Sequence, residues 1–263
     1  MDLGIRGKVA LVAASSKGLG RAIAEELAAE GVDLVMCARG AGALRTTADS
    51  IRRQSGVKVV DVAADVSERT GLERITAAAF DNFGRVDILV NNSGGPPSGP
   101  FESYTPEMWE SAARLLLFSV VSLTTAVLPG MKERRWGRIL NVTSIAVKQP
   151  IDGLMLSNSL RAAATGFART LANEVAPFNV TVNNLMPGYT RTDRMEQLAR
   201  ASAERTGAPI KDTFAKWERE IPMGRLAEPR EFAALAAFLA SDRAGYITGS
   251  SIAVDGGWIR SLI

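Results

Sequence analysis

Ser157 and Arg161 stand four residues apart in "SNSLR", near the start of a stretch with helical periodicity, so both side chains share one helical face. A serine hydroxyl is a far weaker acid than a phenol, which titrates near pH ~10. The guanidinium stays charged and hydrogen-bonds as a planar fork. Such a pair can hold a sugar hydroxyl but is poorly equipped to deliver a proton. A second constellation lies in "VAASSKGLGRAIAEELA" (12–28), which runs from a strand pattern into an amphipathic helix. Gly18 and Gly20 leave room for backbone beside a pyrophosphate, whose charge the unpaired N–H groups of a helix N-terminus favour. One count removes whole classes of chemistry. The chain has no histidine, so a Ser-His-Asp triad, a His-ligated zinc and an imidazole base are excluded, and no metal site is expected.

These residues need elements to position them. Strand patterns at 8–14, 33–38, 57–65, 86–92, 137–144, 179–187 and 250–257 alternate with helical stretches at 18–30, 41–54, 68–83, 105–133, 153–176 and 229–240. Alternation with nearly continuous apolar strands predicts a doubly wound, mainly parallel α/β sheet with helices on both faces. We read residues 1–263 as one nucleotide-binding Rossmann domain, with the polar segment 190–226 inserted as a lid beyond the carboxyl end of a strand.

The net charge of +3, from 31 Lys and Arg against 28 Asp and Glu, includes no long basic run, which argues against a nucleic-acid partner. "KERRWGR" (132–138) is the densest basic patch and reads as a solvated helix end. The single cysteine, Cys37, excludes an internal disulfide and suits a reducing compartment. The opening "MDLGIRGKVALV" lacks a signal-peptide pattern, and no 18-residue apolar stretch is expected. The expected setting is therefore cytoplasmic, with no membrane contact.

The glycine loop is followed in order by "ADV" (64–66), "NNSGG" (91–95), "GRILNVTS" (137–144), "VTVNNLMPGYTRTD" (180–193) and "AVDGGW" (253–258). On these motifs the chain resembles the short-chain dehydrogenase/reductases, and within them 3-oxoacyl-acyl-carrier-protein reductase-type sequences, from about residue 5 to residue 258. The resemblance implies that Ser16, Lys17, Gly18, Leu19 and Gly20 surround the pyrophosphate. It places Asp65 and Val66 beside the adenine and Asn92 and Gly94 beside the adenosine ribose. Pro187, Gly188, Thr190 and Thr192 fall at the nicotinamide end. NAD-preferring relatives carry a carboxylate at the end of the second strand, where this chain reads "CARG" with Arg39. Lys17 adds a second cation, and two cations converging on a 2′-phosphate imply NADP(H) in preference to NAD(H). The family's opening Thr-Gly is Ala13-Ala14, a change expected to weaken cofactor binding little.

In the family a Tyr hydroxyl handles the proton, and a Lys four residues on lowers its pKa and holds the nicotinamide ribose. A Ser polarises the carbonyl, and an Asn on the preceding long helix supports a water chain. Ser144 fills the Ser position, but Leu116 fills that of Asn, Ser157 that of Tyr and Arg161 that of Lys. The tyrosines are Tyr104, Tyr189 and Tyr246, and no lysine lies between Lys148 and Lys211, so no shift of register restores the pair. The expected relay is altered. Arg161 serves the cofactor, Ser157 contributes little, Ser144 polarises, and Tyr189, next to Pro187-Gly188, is a candidate proton donor.

The implied function is an NADP(H)-dependent oxidoreductase on a small-molecule carbonyl/alcohol pair of the 3-oxoacyl, sugar or small-ketone class. The alternative is a catalytically impaired NADP(H)-binding protein of the same fold, used for ligand sensing or as a scaffold. The resemblance also implies a homotetramer, a dimer of dimers, using the long helices 105–133 and 153–176 and the "DGGW" end. Ala162, Ala163, Ala164, Gly166 and Ala168 would allow close helix approach between subunits.

Overall fold

Short runs of aliphatic and β-branched residues form seven strands, all parallel, in the computed structural model, which describes residues 2–262. The two end residues of the expected domain lie outside that range. The strands are β1 (Val9–Val12), β2 (Asp33–Ala38), β3 (Val59–Ala63), β4 (Ile88–Asn91), β5 (Gly137–Val142), β6 (Val180–Pro187) and β7 (Ser251–Val254), in the order β3-β2-β1-β4-β5-β6-β7. Crossover helices α1 (Gly18–Ala29), α2 (Ala41–Ser55), α3 (Arg69–Phe83), α5 (Ser119–Glu133), α6 (Met155–Val175) and α9 (Pro229–Leu239) cover both faces, and α4 (Pro106–Ala113) precedes α5. The strand period of two sends Ala10, Val12, Leu34 and Met36 to a core shared with α1, α2 and α9. It sends Leu11, Val35 and Leu89 to a second core under α3, α5 and α6. Each large aliphatic group so buried contributes about 1.5–3 kcal/mol. Cys37 lies in the second core, where burial pushes its thiol up to about 12.

The winding reverses between β1 and β4, and a crevice opens there beyond the carboxyl ends of the strands. At that edge an amide ladder crosses the sheet. Asn91 Nδ2 donates to Asn141 Oδ1 at 2.9 Å, Asn141 Nδ2 to Asn184 Oδ1 at 3.1 Å, and Asn184 Nδ2 to Ser251 Oγ at 3.1 Å. Strand register makes each pair direct neighbours.

Several expectations need correction. The stretch 105–133 is interrupted by a π-turn, Arg114–Phe118, between α4 and α5. That compound helix, Pro106–Glu133, has a mean hydropathy of 1.8 over 18 residues, so a stretch apolar and long enough to cross a membrane does exist. Its inner face, with Leu123, Val127 and Met131, packs on the sheet. On α6, Ala164 and Ala168 point into the protomer, which leaves Ala162, Ala163 and Gly166 exposed for any subunit contact. Within 190–226 the chain forms two helices, α7 (Asp193–Thr206) and α8 (Ile210–Glu220).

Candidate functional site

The loop after β1 is shaped by close backbone packing. Ala14 takes a left-handed conformation with φ of 49°, and α1 begins at Gly18 behind Lys17, whose side chain makes no cap. The first N–H groups of α1 are thus left for a ligand. A Cβ on Gly20 would stand 2.3 Å from the Ala14 carbonyl oxygen and 2.7 Å from Asn92 Nδ2, so only glycine fits without a shift. Asn92 Nδ2 donates to the Ala13 carbonyl at 3.2 Å, tying the end of β4 to the loop. A Cβ on Gly94 would meet nothing within 4 Å, and one on Gly18 would meet only Thr192, at 3.5 Å. Bare backbone from two loops therefore faces an open crevice of the kind a dinucleotide pyrophosphate needs.

The neighbouring residues are held as follows. Ser16 accepts at its carbonyl from Thr47 Oγ1 at 2.9 Å, and Leu19 packs on the first core. Asp65 Oδ1 accepts from the backbone and hydroxyl of Ser67, and Val66 is buried close by. Gly188 N donates to the Val254 carbonyl at 2.9 Å, fixing Pro187-Gly188 at the end of β6, and Thr190 is buried beyond them. Thr192 stands at the N-cap position of α7 without a side-chain cap, its hydroxyl donating to the Thr190 carbonyl at 3.3 Å.

The two cations pair with different carboxylates. Lys17 Nζ lies 2.6 Å from Asp193 Oδ2, a carboxylate in the first turn of α7, while Arg39 lies nearest Asp65, at 4.0 Å, with its side chain 81% exposed.

On the other side of the crevice, Ser144 Oγ accepts from the backbone N–H of Ala146 at 3.1 Å. Ser157, buried in the first turns of α6, accepts at Oγ from Arg161 Nε at 3.2 Å, as the helix period predicts. Arg161 Nη1 donates to the Val142 carbonyl at 2.7 Å, which ties α6 to the end of β5 two residues before Ser144. Both hydroxyls thus have an acceptor lone pair occupied and an O–H free to donate. Burial and the neighbouring Arg194 lower the Arg161 pKa to about 10. Leu116 is buried in the π-turn and lines a cavity of about 10 Å³ together with Asn91, Asn92 and Arg161. That is no more than one water's room. Asn91 Oδ1 is buried without a hydrogen-bond partner.

Tyr189 does not join this group. Its ring stacks on Trp217 of α8 with centroids 5.2 Å apart and meets Trp258 edge-on at 5.9 Å. Burial and the nearby Glu220 push its hydroxyl up to about 12, away from the lowered value a proton relay wants. The ring instead pins α8 over the end of β6. Lys148 is exposed.

Arg194 is the residue the motifs passed over. From the first turn of α7 it reaches across the crevice and donates from Nη2 to the Pro96 carbonyl at 2.9 Å. Its guanidinium would stand 2.6 Å from a Cβ on Gly95. The only signal in the sequence is a cation beside "TRTD", in a segment otherwise polar enough to read as surface.

Known proteins resemble this chain in sequence and in fold. A family profile described as enoyl-(acyl carrier protein) reductase matches residues 13–259. The 3-oxoacyl-[acyl-carrier-protein] reductase FabG of Vibrio cholerae is 36% identical over 255 residues, covering 97% of this chain and 98% of its own. Among solved structures, L-sorbose reductase from Gluconobacter frateurii, complexed with NADPH and L-sorbose, matches with a TM-score of 0.94 and 36% identity over 100% of both chains. An actinorhodin polyketide ketoreductase with NADPH matches with a TM-score of 0.92 and 31% identity, over 97% of this chain and 98% of its own.

Proposed function

The chain belongs to the short-chain dehydrogenase/reductase family, and from that premise we propose an NADP(H)-dependent reductase of a carbonyl/alcohol pair whose proton relay is altered. The observation that carries the proposal is the glycine cradle and the hydroxyl pair Ser144 and Ser157 at one carboxyl edge of the sheet. Gly18, Gly20, Asn92, Gly94 and Thr192 would hold the cofactor's diphosphate and ribose, and Arg161 its nicotinamide ribose. When bound, NADPH supplies the two-electron reduction of the carbonyl carbon.

The chain's own residues do the rest. Ser144 and Ser157 donate hydrogen bonds to the substrate oxygen, and Arg161 Nε–H on Ser157 Oγ strengthens that second donor. No phenol with a lowered pKa is at hand, so solvent supplies the final proton and turnover is slow, by roughly 10²–10⁴-fold relative to a site with a positioned general acid. The relatives are reductases of 3-oxoacyl, sugar and polyketide carbonyls, which supports the substrate class. The NADPH in two of the matched structures supports the cofactor choice, with Arg39 as the cation that reads the 2′-phosphate. We place the protein in the cytoplasm, with α7 and α8 as its lid. The exposed Phe118 on the long apolar helix supports assembly as a dimer of dimers, which a monomeric mass by light scattering would overturn.

The absence of a phenol and an ammonium at 157 and 161 favours a second reading, a cofactor-binding protein without turnover. Titration of NADPH fluorescence followed by a carbonyl panel at high enzyme concentration separates the two. Slow, enzyme-dependent NADPH oxidation is expected, with tighter binding of NADPH than of NADH, an order that Arg39→Asp reverses. Cofactor binding with no oxidation on any carbonyl establishes the second reading.

A further inference from the structure

The shielded arginines of the described chain divide into two groups. Arg52 meets Asp49 and Asp61, Arg85 and Arg134 share Asp87, and Arg138, buried within β5, lies 3.7 Å from Asp242. Arg161 and Arg194 make their hydrogen bonds to backbone carbonyls and a serine, and among the described residues neither has an acidic partner. They also converge. Arg161 Nη2 stands 3.5 Å from the Gly94 carbonyl and Arg194 Nη2 2.9 Å from that of Pro96, so the two guanidiniums bracket one short loop.

Two like charges, partly withdrawn from water and without a counter-ion, are costly to hold together. Their cost is visible in Arg161, whose affinity for its proton falls through burial and through Arg194. An anion between them would relieve both effects. The fork of Arg194 has most of its five donors unclaimed, and a planar oxyanion matches a guanidinium fork best. The cofactor's diphosphate has its own anion site at the start of α1. Arg161 and Arg194 lie instead on the Ser157 side, one on the face of α6 and the other on the lid helix.

Resting on the carbonyl-reductase reading above, we propose that the substrate carries a carboxylate, gripped by Arg194 with Arg161 as a second charge, so that the site selects oxo acids over neutral ketones. Neutral sugars and unmodified ketones lack the group this pair would bind. Arg194 is then a specificity-determining residue, and its place on α7 couples lid position to the presence of the anion.

Protein loaded with NADP⁺ binds oxo compounds without turnover, which isolates recognition from chemistry. Isothermal titration would compare 2-oxobutanoate, acetoacetate and levulinate, each with its methyl ester. At least one acid is expected to bind roughly tenfold or more tighter than its ester. In Arg194→Gln that preference should disappear while NADP⁺ affinity holds, and Arg194→Lys, which keeps the charge without the fork, should retain part of it. Equal binding of every acid and ester, or an acid preference that survives Arg194→Gln, overturns the proposal. Failure of the carbonyl-reductase reading looks different: NADP⁺ does not bind, or acids bind preferentially yet none is reduced by NADPH. In that second case the anion site stands and the reaction assigned to it does not.

Discussion

The crevice has two halves that constrain their residues differently. Around β1 and β4 backbone spacing dictates identity, since Gly20 faces the Ala14 carbonyl at a distance no side chain can share. Around β5 and α6 the scaffold dictates only position. The helix period puts residues 157 and 161 on one face, and Arg161 still reaches the end of β5 although neither residue has the type the resemblance implies there. The glycine loop is therefore held by packing, whereas at 157 and 161 packing holds the geometry and leaves the residue type open.

The sharpest way to break that contrast is to restore the missing acid. Ser157→Tyr with Arg161→Lys should raise NADPH-dependent turnover by roughly 10²–10⁴-fold, read as NADPH absorbance against a reducible carbonyl. Unchanged turnover with the cofactor bound would mean that something other than the acid separates the two halves. Arg161→Ala should weaken NADPH binding by about 1.5–3 kcal/mol, because a charged donor is lost from the nicotinamide end. Fluorescence titration measures it, and unaltered affinity would remove Arg161 from the cofactor's partners. Gly20→Ala should weaken the same binding by roughly 1–3 kcal/mol as its methyl forces the loop apart. Wild-type affinity there would show that the first half is as tolerant as the second. The smallest effect is on stability. Ala14→Gly relieves a left-handed alanine and should gain roughly 0.5–1 kcal/mol, or about 1–3 °C in Tm, after the entropy cost of glycine. A fall in Tm by calorimetry would show that the loop carries no strain at Ala14.

Much of this is legible in the residues themselves. Continuous runs such as "VALV" and "ILVN", alternating with helical stretches, read as strands buried on both faces, and the glycine loop between a strand and a helix locates the crevice. The substitutions at 157 and 161 are equally plain. Partners brought from far along the chain are not. Lys17 looks free in "SSKGLG" until folding carries Asp193 to it across 176 positions. Tyr189 next to "PG" invites a catalytic role because its aromatic neighbours, Trp217 and Trp258, lie in other elements. The π-turn hides within "RLLLF", whose apolar run fits an unbroken helix equally well. Arg194 hides among other charges of the lid, since only the fold shows which of them lack a carboxylate.

The ladder of asparagines has a polarity as well as a register. Each amide donates toward β7, so the dipoles run one way, from Asn91 to Ser251, and the lone acceptor at the head of the chain is Asn91 Oδ1. Hydrogen bonds in series polarise one another by about 10–30% each in a condensed phase. Asn91 Oδ1 is therefore a stronger acceptor than an isolated amide oxygen, and Asn91 lines the cavity that Arg161 also lines. The sheet thus acts as a conductor as well as a support. Removing the Ser251 hydroxyl, three strands away, would thus weaken Asn91 Oδ1 as an acceptor through the ladder alone.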